Sequence, residues 1–405
     1  MAREPRTSPI LPSYGESSLA DLSSSILASL TGDASANVLG LPDTGRACLL
    51  IIDGLGLELL RAHQAAAPFL AELAFNSRPL TAGFPSTTVT SLGSLGTGLP
   101  PSAHGMLGYQ VMIPGTGRLL NGLNWPKDID PVEWQPRPTI FERAFAAGVS
   151  STYVAPRSYE KSGLSVAALR GPQFKGAYAL GPLAALTAEA LAESDATLVA
   201  AYHGDLDSTG HVYGVSSQAW EFQLSHVNRL VEQLASALPS GTALYVTADH
   251  GMVNVGPDDK IDVDVDGPAA ALRDGVALLG GEPRARHVYT APGAAADVLA
   301  TWREVLGERA WVASREEAVK DGWFGPPGVI DESMAARIGD VVAACSGTSA
   351  VIASKAEPLQ SSLFGMHGSL TAAEQLVPMF AFAAQLAKNE RGGGCAAPAL
   401  LSPLA

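Results

Sequence analysis

Cysteine, basic residues and long apolar runs are all in short supply in this chain. Only three cysteines occur in 405 residues, Cys48, Cys345 and Cys395. They are odd in number and far apart, so neither a disulfide framework nor a cysteine-based metal site follows. Lysine and arginine number 26 against 40 aspartates and glutamates, a net charge of −14. Such a surface repels nucleic-acid backbones and anionic membranes, which argues against polymeric nucleic acid and membranes as partners. No apolar run approaches the roughly 20 residues that span a bilayer, and "MAREPRTSPILPSYGESSLADL" lacks the apolar stretch of a secretory signal. A soluble, cytoplasmic protein is expected. Nothing in the sequence sets the oligomeric state.

What is present supports a sizeable folded core, since 47% of the residues are hydrophobic. Short apolar runs at 47–52 ("ACLLII"), 151–155, 197–202 and 243–248 have the length and composition of buried parallel strands. Helical patterns lie between them. One runs through "LELLRAHQAAAPFLAELA", and another over 216–238, where apolar residues recur at helical spacing. Alternation of this kind predicts an α/β protein with a mostly parallel sheet between helices. Residues 1–44, rich in Ser, Pro and Gly with one helical stretch near 17–30, are expected to pack on the core as a leader. The catalytic α/β core is expected over 45–254 and 350–405. The acidic, turn-rich segment opening with "GPDDKIDVDVDGP" begins an inserted, smaller α+β lid over 255–349. The terminal "RGGGCAAPALLSPLA" is expected to be loosely held.

Acidic residues and histidines collect where these strands end, and open α/β sheets gather reactive groups there. Asp53 follows the first strand. Asp207 and His211 lie four residues apart after another, a spacing that puts both side chains on one helical face. Asp249 and His250 close "ALYVTADHG", and His367 stands alone near the end of the chain. Taken singly, each has an ordinary explanation as a helix cap or a packed residue. Together, carboxylates and imidazoles of this kind suit Zn²⁺ or Mn²⁺. Asp205 is an alternative to Asp207 but lacks the offset to His211. His63, His104, His203, His226 and His287 have no such setting and read as structural. The hydroxyl-rich stretch "FPSTTVTS" precedes a helix start, where free N–H groups favour phosphate. Thr88 is the first candidate nucleophile, with Ser86, Thr87 and Thr90 behind it.

These segments resemble the alkaline phosphatase superfamily, in particular the type I phosphodiesterase and nucleotide pyrophosphatase family. The likeness rests on "IIDGLG", "FPSTTVTSLGSLGTGLPPSAHG", "DSTGH", "TADHGM" and "MHGS", in that order from about residue 47 to 380. It implies two divalent metal ions: Asp53, Thr88, Asp249 and His250 would hold one, and Asp207, His211 and His367 the other. It also implies a lid inserted before the last histidine. Within the family the chain most resembles actinobacterial cytoplasmic phosphodiesterases that act on cyclic di-AMP.

One position departs from the family pattern. Nucleotide pyrophosphatases usually carry an asparagine 21 residues after the nucleophile to bind a phosphoryl oxygen; Tyr109 stands there. A phenol can donate to the same oxygen, and Asn121 or Asn124 are further candidates. No arginine lies between Phe84 and Leu107 to clamp a dianionic phosphate, which favours diesters over monoesters. Tyr109, Trp125, Tyr159, Trp323 and Phe364 are candidates for stacking on a base. The expected reaction is hydrolysis of a nucleotide phosphodiester, cyclic di-AMP to pApA and AMP, through a threonine-bound intermediate. Alternatives are a nucleotide pyrophosphatase, a phosphonoacetate hydrolase and a silent nucleotide-binding sensor.

Overall fold

The strand β1 (Arg46–Ile52) is buried at every position but its first, as a central strand covered on both faces must be. The computed structural model describes residues 8–383 and 399–400. In it β1 is joined by β2 (Ser150–Pro156), β3 (Gln173–Ala177), β4 (Thr197–His203) and β5 (Thr242–Thr247). β1 pairs in parallel with β4 on one side and β5 on the other. β2 pairs in parallel with both β4 and β3. The α/β architecture with a mostly parallel sheet is therefore as expected.

Helices flank this sheet. α1 (Leu19–Thr31) is opened by Asp21, whose carboxylate accepts the Ser18 N–H at 2.8 Å. It is closed by Gly32 in the left-handed region. α1 packs on the core: Leu19, Leu22 and Ile26 are fully buried, and it lies against α2 (Thr88–Thr97). α3 (Leu180–Ala192) lies against β2 and β4. α4 (Asp205–Tyr213) follows β4 after a single residue, and α5 (Gln218–Ala237) matches the helical pattern read over 216–238. The helix expected through "LELLRAHQAAAPFLAELA" is instead broken into Leu57–Ala62 and Pro68–Asn76. Pro68 lacks the N–H that a continuing helix needs, so it starts the second piece.

Four further strands form a separate antiparallel sheet: β6 (Val276–Glu282), β7 (Ala285–Thr290), β8 (Ala310–Ser314) and β9 (Val341–Cys345), in the order β6-β7-β9-β8. α6 (Ala295–Leu306) buries Val298, Trp302 and Leu306 against Val288, Val341 and Ala343 of this sheet, which gives it an apolar cluster of its own. The chain then returns to the main sheet with β10 (Met379–Ala383), antiparallel to β5, and the two-residue β11 (Ala399–Leu400). The main sheet thus reads β11-β10-β5-β1-β4-β2-β3. Cys48 and Cys345 are buried free thiols. Cys395 lies outside the described residues, as does the terminal segment apart from β11.

The small sheet is fastened to the core by buried polar contacts. His287 on β7 donates Nε2–H to the Leu107 carbonyl at 2.9 Å and accepts the Gly339 N–H on Nδ1 at 3.1 Å. A protonated ring would aim a second donor at that N–H. Burial pushes the imidazole down from 6.5 to about 4. The unfolded chain therefore takes up this proton first as pH falls. Stability from the neutral ring is complete above pH 6.5 and is lost between 6.5 and about 4, by about 3 kcal/mol in all. Chemical denaturation across this window should show that loss. His287→Gln, which can still donate and accept, should flatten the corresponding part of the slope.

Candidate metal centre

Each acidic side chain of the centre reaches it from the carboxyl end of a parallel strand. Asp53 follows β1, Asp207 and His211 sit in the helix after β4, and Asp249 and His250 lie just past β5. Gly54, in the left-handed region at φ 75°, turns the chain after Asp53 so that its N–H donates to Asp249 Oδ1 at 3.1 Å. A Cβ there would press on the Asp207 Cα at 3.1 Å, so the close approach of these two loops needs glycine.

The carboxylates share one arrangement: one oxygen is anchored and the other is left bare. Asp53 accepts the Tyr202 hydroxyl on Oδ2. Asp249 accepts the Gly54 and His250 N–H groups on Oδ1. Asp207 Oδ2 faces His211 Nε2 at 3.3 Å. The remaining oxygens, Asp53 Oδ1, Asp207 Oδ1 and Asp249 Oδ2, are buried with no hydrogen-bond partner among the described residues. An orphaned buried carboxylate oxygen is costly, and three in one place are a cradle for cations.

The imidazoles complement this. His211 Nδ1 lies 2.7 Å from the Gly365 carbonyl, His250 Nδ1 3.0 Å from Gly251 O, and His367 Nδ1 3.0 Å from Ser86 O. A carbonyl only accepts, so each ring must carry a proton on Nδ1, which makes Nε2 the nitrogen turned toward the centre and able to bind a metal once deprotonated. His250 Nε2 stands 3.3 Å from Thr88 Oγ1, 3.3 Å from Asp53 Oδ1 and 3.5 Å from Asp249 Oδ2. His367 Nε2 is 3.8 Å from Asp207 Oδ1, and its ring stacks on His250 with centroids 3.6 Å apart. The seven residues picked out in the sequence therefore meet in one cluster. Ligand atoms of Asp207, His211 and His367 converge within 4.8 Å, and so do those of Asp53, Asp207 and His250, so Asp207 adjoins both halves.

The electrostatics follow from crowding. Burial, with Asp207 and Asp249 beside it, pushes the Asp53 carboxyl well above the usual range. Burial alone would raise Asp207 too, but the adjacent His211, with His367 and His250, outweighs it and holds that carboxyl low. His211 gains in return: Asp207 overcomes the effect of burial and lifts the ring to about 9. His367 is pushed well down by burial and by His250.

Thr88 is the first residue of α2, with Thr87 as its N-cap, and it borders a cavity of about 590 Å³. Asp53, Asp207, His211 and His367 line the same cavity. Ser86 and Thr90 are buried, and Ser86 is spent on the Ser369 carbonyl at 2.8 Å. No lysine or arginine is among the lining residues.

Of the three candidates for the phosphoryl oxygen, only Tyr109 lines the cavity. Asn121 supports it from behind, donating Nδ2–H to the Tyr109 hydroxyl at 2.9 Å, and Gln360 donates to the same oxygen at 3.1 Å. With two donors on its oxygen, the phenol has its own proton free to give. Asn124 is exposed and away from the wall. Among the aromatic candidates Tyr159 joins Tyr109 on the cavity wall. Trp125 packs on Trp134, Trp323 packs on Phe84, and Phe364 is exposed away from the wall. Two residues of the site had no signal in the sequence. Tyr202 reads as ordinary strand core, and Glu282, buried beside Thr87 and His367, comes from the small sheet.

The main sheet, with its acidic and imidazole cluster beyond the strand ends, defines an alkaline-phosphatase-like α/β protein. Residues 47–370 match the family described as type I phosphodiesterase / nucleotide pyrophosphatase, and the chain belongs to that family. It is 40% identical over 68 residues to ectonucleotide pyrophosphatase/phosphodiesterase family member 7 of Mus musculus, and equally to that of Rattus norvegicus. That stretch covers 16% of this chain and only 16% of those relatives' length. Murine ectonucleotide pyrophosphatase/phosphodiesterase 5, as an inactive variant in complex with AMP, shares the fold with a TM-score of 0.63 at 17% identity, over 84% of this chain and 89% of that one. Phosphonoacetate hydrolase from Sinorhizobium meliloti 1021, in complex with phosphonoformate, does so with a TM-score of 0.62 at 21% identity, over 84% and 90%. Among the described residues no helix is long and apolar enough to cross a membrane.

Crowded carboxylates make a stability prediction. Asp53→Asn, which keeps an acceptor for Tyr202 but removes charge, should leave the metal-free protein at least as stable as the parent at pH 8. It should also abolish the rise in melting temperature that Mn²⁺ gives the parent. Binding at a thousandfold excess over Kd is worth about 4 kcal/mol, well within reach of scanning calorimetry.

Proposed function

We propose that this protein is a metal-dependent phosphodiesterase that hydrolyses a nucleotide phosphodiester, with cyclic di-AMP as substrate and pApA and then AMP as products. One observation carries the reading: Thr88 and bare carboxylate oxygens face a cavity with no lysine or arginine among its described lining residues to meet an anionic phosphate. Such a cavity repels phosphate unless divalent cations fill it. The donor set fits them: Asp53, Thr88, Asp249 and His250 for one, Asp207, His211 and His367 for the other. When bound, two such ions would lower the pKa of the Thr88 hydroxyl and neutralise charge on the phosphoryl oxygens.

The chain's own residues supply the rest. Thr88, the first residue of α2, attacks phosphorus in line. Its Oγ forms the new P–O bond as the bond to the leaving 3′ oxygen breaks. The hydroxyl proton is lost from Thr88 and a proton is gained by the leaving alcohol. Water then attacks the phosphothreonine, restores Thr88 and releases the 5′-phosphate. One such cycle opens cyclic di-AMP to pApA, and a second divides pApA into AMP. Tyr109 donates its free hydroxyl proton to a non-bridging oxygen. Leu123, Leu164, Leu359 and Leu363, together with Tyr159, give the cavity apolar walls suited to bases.

The same absence of lysine and arginine separates this reading from its neighbours. A polyphosphate chain or the carboxylate of phosphonoacetate brings a second anionic group, and the described cavity lining offers it no lysine or arginine. A diester brings one charge per phosphate, which the metal centre can take.

Chromatography of products from cyclic di-AMP with Mn²⁺ should show pApA and AMP, and EDTA should stop both. Thr88→Ala should lower turnover of cyclic di-AMP and of bis(p-nitrophenyl) phosphate by about a thousandfold or more while leaving Mn²⁺ bound. Near-normal turnover in Thr88→Ala would sink the nucleophile. Hydrolysis of the aryl diester alone would keep the chemistry and remove the substrate; binding without turnover of either would leave a sensor. Tyr109→Phe should reduce kcat/KM for the diester by about tenfold or more, with the metal requirement unchanged.

A further inference from the structure

The β6–β7 hairpin enters the centre through its tip, Glu282-Pro283-Arg284-Ala285, with Glu282 paired to Ala285. Arg284 is fully buried and donates to both oxygens of Glu374 at 2.7 Å, and to the carbonyls of Ser349 at 2.6 Å and Gly347 at 2.9 Å. Glu374 in turn accepts the Ser369 N–H at 3.0 Å, two residues beyond His367. The hairpin tip is thereby fixed to the loop that carries this histidine. A buried, multiply satisfied pair of this kind is costly to break from one side.

This anchoring brings a carboxylate to two parts of the centre at once. Glu282 lies beside the side chain of Thr87, the residue before the candidate nucleophile, and Thr87 favours its carboxylate form. Its Oε2 lies 3.7 Å from Nδ1 of His367. Its Oε1 is buried without a partner among the described residues, and Glu282 is only 7% exposed on the cavity wall. The loop leaves room for it. Gly368 has φ 129°, and a Cβ there would come within 2.9 Å of the Glu282 Cδ. The glycine after His367 is thus matched to a side chain from a distant part of the chain.

We infer that Glu282 is a positioning residue of the metal centre: it holds the Thr87–Thr88 turn and, with the Ser86 carbonyl, keeps the His367 proton on Nδ1 so that Nε2 faces the metal. Carboxylates behind metal-binding histidines orient the ring and raise its basicity, and their loss typically costs 10–100-fold in affinity or activity. The small sheet is therefore part of the centre and not only its cover. The inference rests on the proposed metal-dependent reading of the site.

The test is calorimetric titration of Mn²⁺ into the EDTA-stripped full chain, beside turnover of bis(p-nitrophenyl) phosphate. Glu282→Gln keeps the shape and an acceptor for Thr87 but loses the charge. It should weaken Mn²⁺ binding about tenfold or more and lower kcat with KM unchanged, while the metal-free melting temperature holds. Glu282→Asp should recover part of the affinity. Glu282→Ala should lose both affinity and kcat further. Gln and Ala variants that bind Mn²⁺ within twofold of the parent would overturn the role of Glu282. A parent chain that binds Mn²⁺ but cleaves nothing would overturn the proposed reaction instead, and the binding comparison would still decide the positioning role.

Discussion

Mutual repulsion among Asp53, Asp207 and Asp249, gathered at the ends of neighbouring parallel strands, is the constraint around which the rest of the site is arranged. Each gives one oxygen to a hydrogen bond or an imidazole, and each keeps one oxygen buried and bare. A fold does not retain three such groups for its own stability, because uncompensated buried charge opposes folding. The three imidazoles, all with Nδ1 turned to backbone carbonyls, point Nε2 toward the same space. Within the protein His211 compensates Asp207, and divalent cations would supply the rest, so the bare oxygens cost stability in the metal-free state.

The small sheet bears on this centre more directly than a cover would. Its hairpin tip is held by Arg284 against Glu374, and His287 ties the neighbouring strand to the core at Leu107. Fixing the hairpin at these points leaves little freedom at Glu282, which stands beside Thr87 and His367. Burial pushes the Glu282 carboxyl up to about 8. Divalent cations nearby would act in the opposite direction and favour the carboxylate. The cavity thus combines acidic side chains and apolar walls with no lysine or arginine among its described lining residues, a combination that suits divalent cations.

Much of the main sheet was legible because its signals are local. A buried parallel strand is a short apolar run, and β1, β2, β4 and β5 lie within one residue of the runs that announced them. The Asp207–His211 offset is local too, since it is one turn of α4. The break in the helical stretch after Ala62 was signalled by Pro68, but the apolar pattern on either side masked it. The outer strands β3 and β10 gave weaker signals, because a strand such as Gln173–Ala177, half-exposed over most of its length, lacks the continuous apolar run.

By itself the sequence determined the succession of strands and helices and the residue types at the strand ends, because backbone periodicity and side-chain chemistry are properties of short segments. Only the tertiary structure decided which oxygens remain bare, which imidazole nitrogen faces inward, and that Tyr109, backed by Asn121 and Gln360, lines the wall while Asn124 does not. It alone placed Tyr202 on Asp53 and Glu282 behind His367. The contacts of Gln360 with Tyr109, Tyr202 with Asp53 and Glu282 with His367 join residues 85 to 251 positions apart. They depend on how the loops and the small sheet close on the main sheet, and no local pattern encodes that closure.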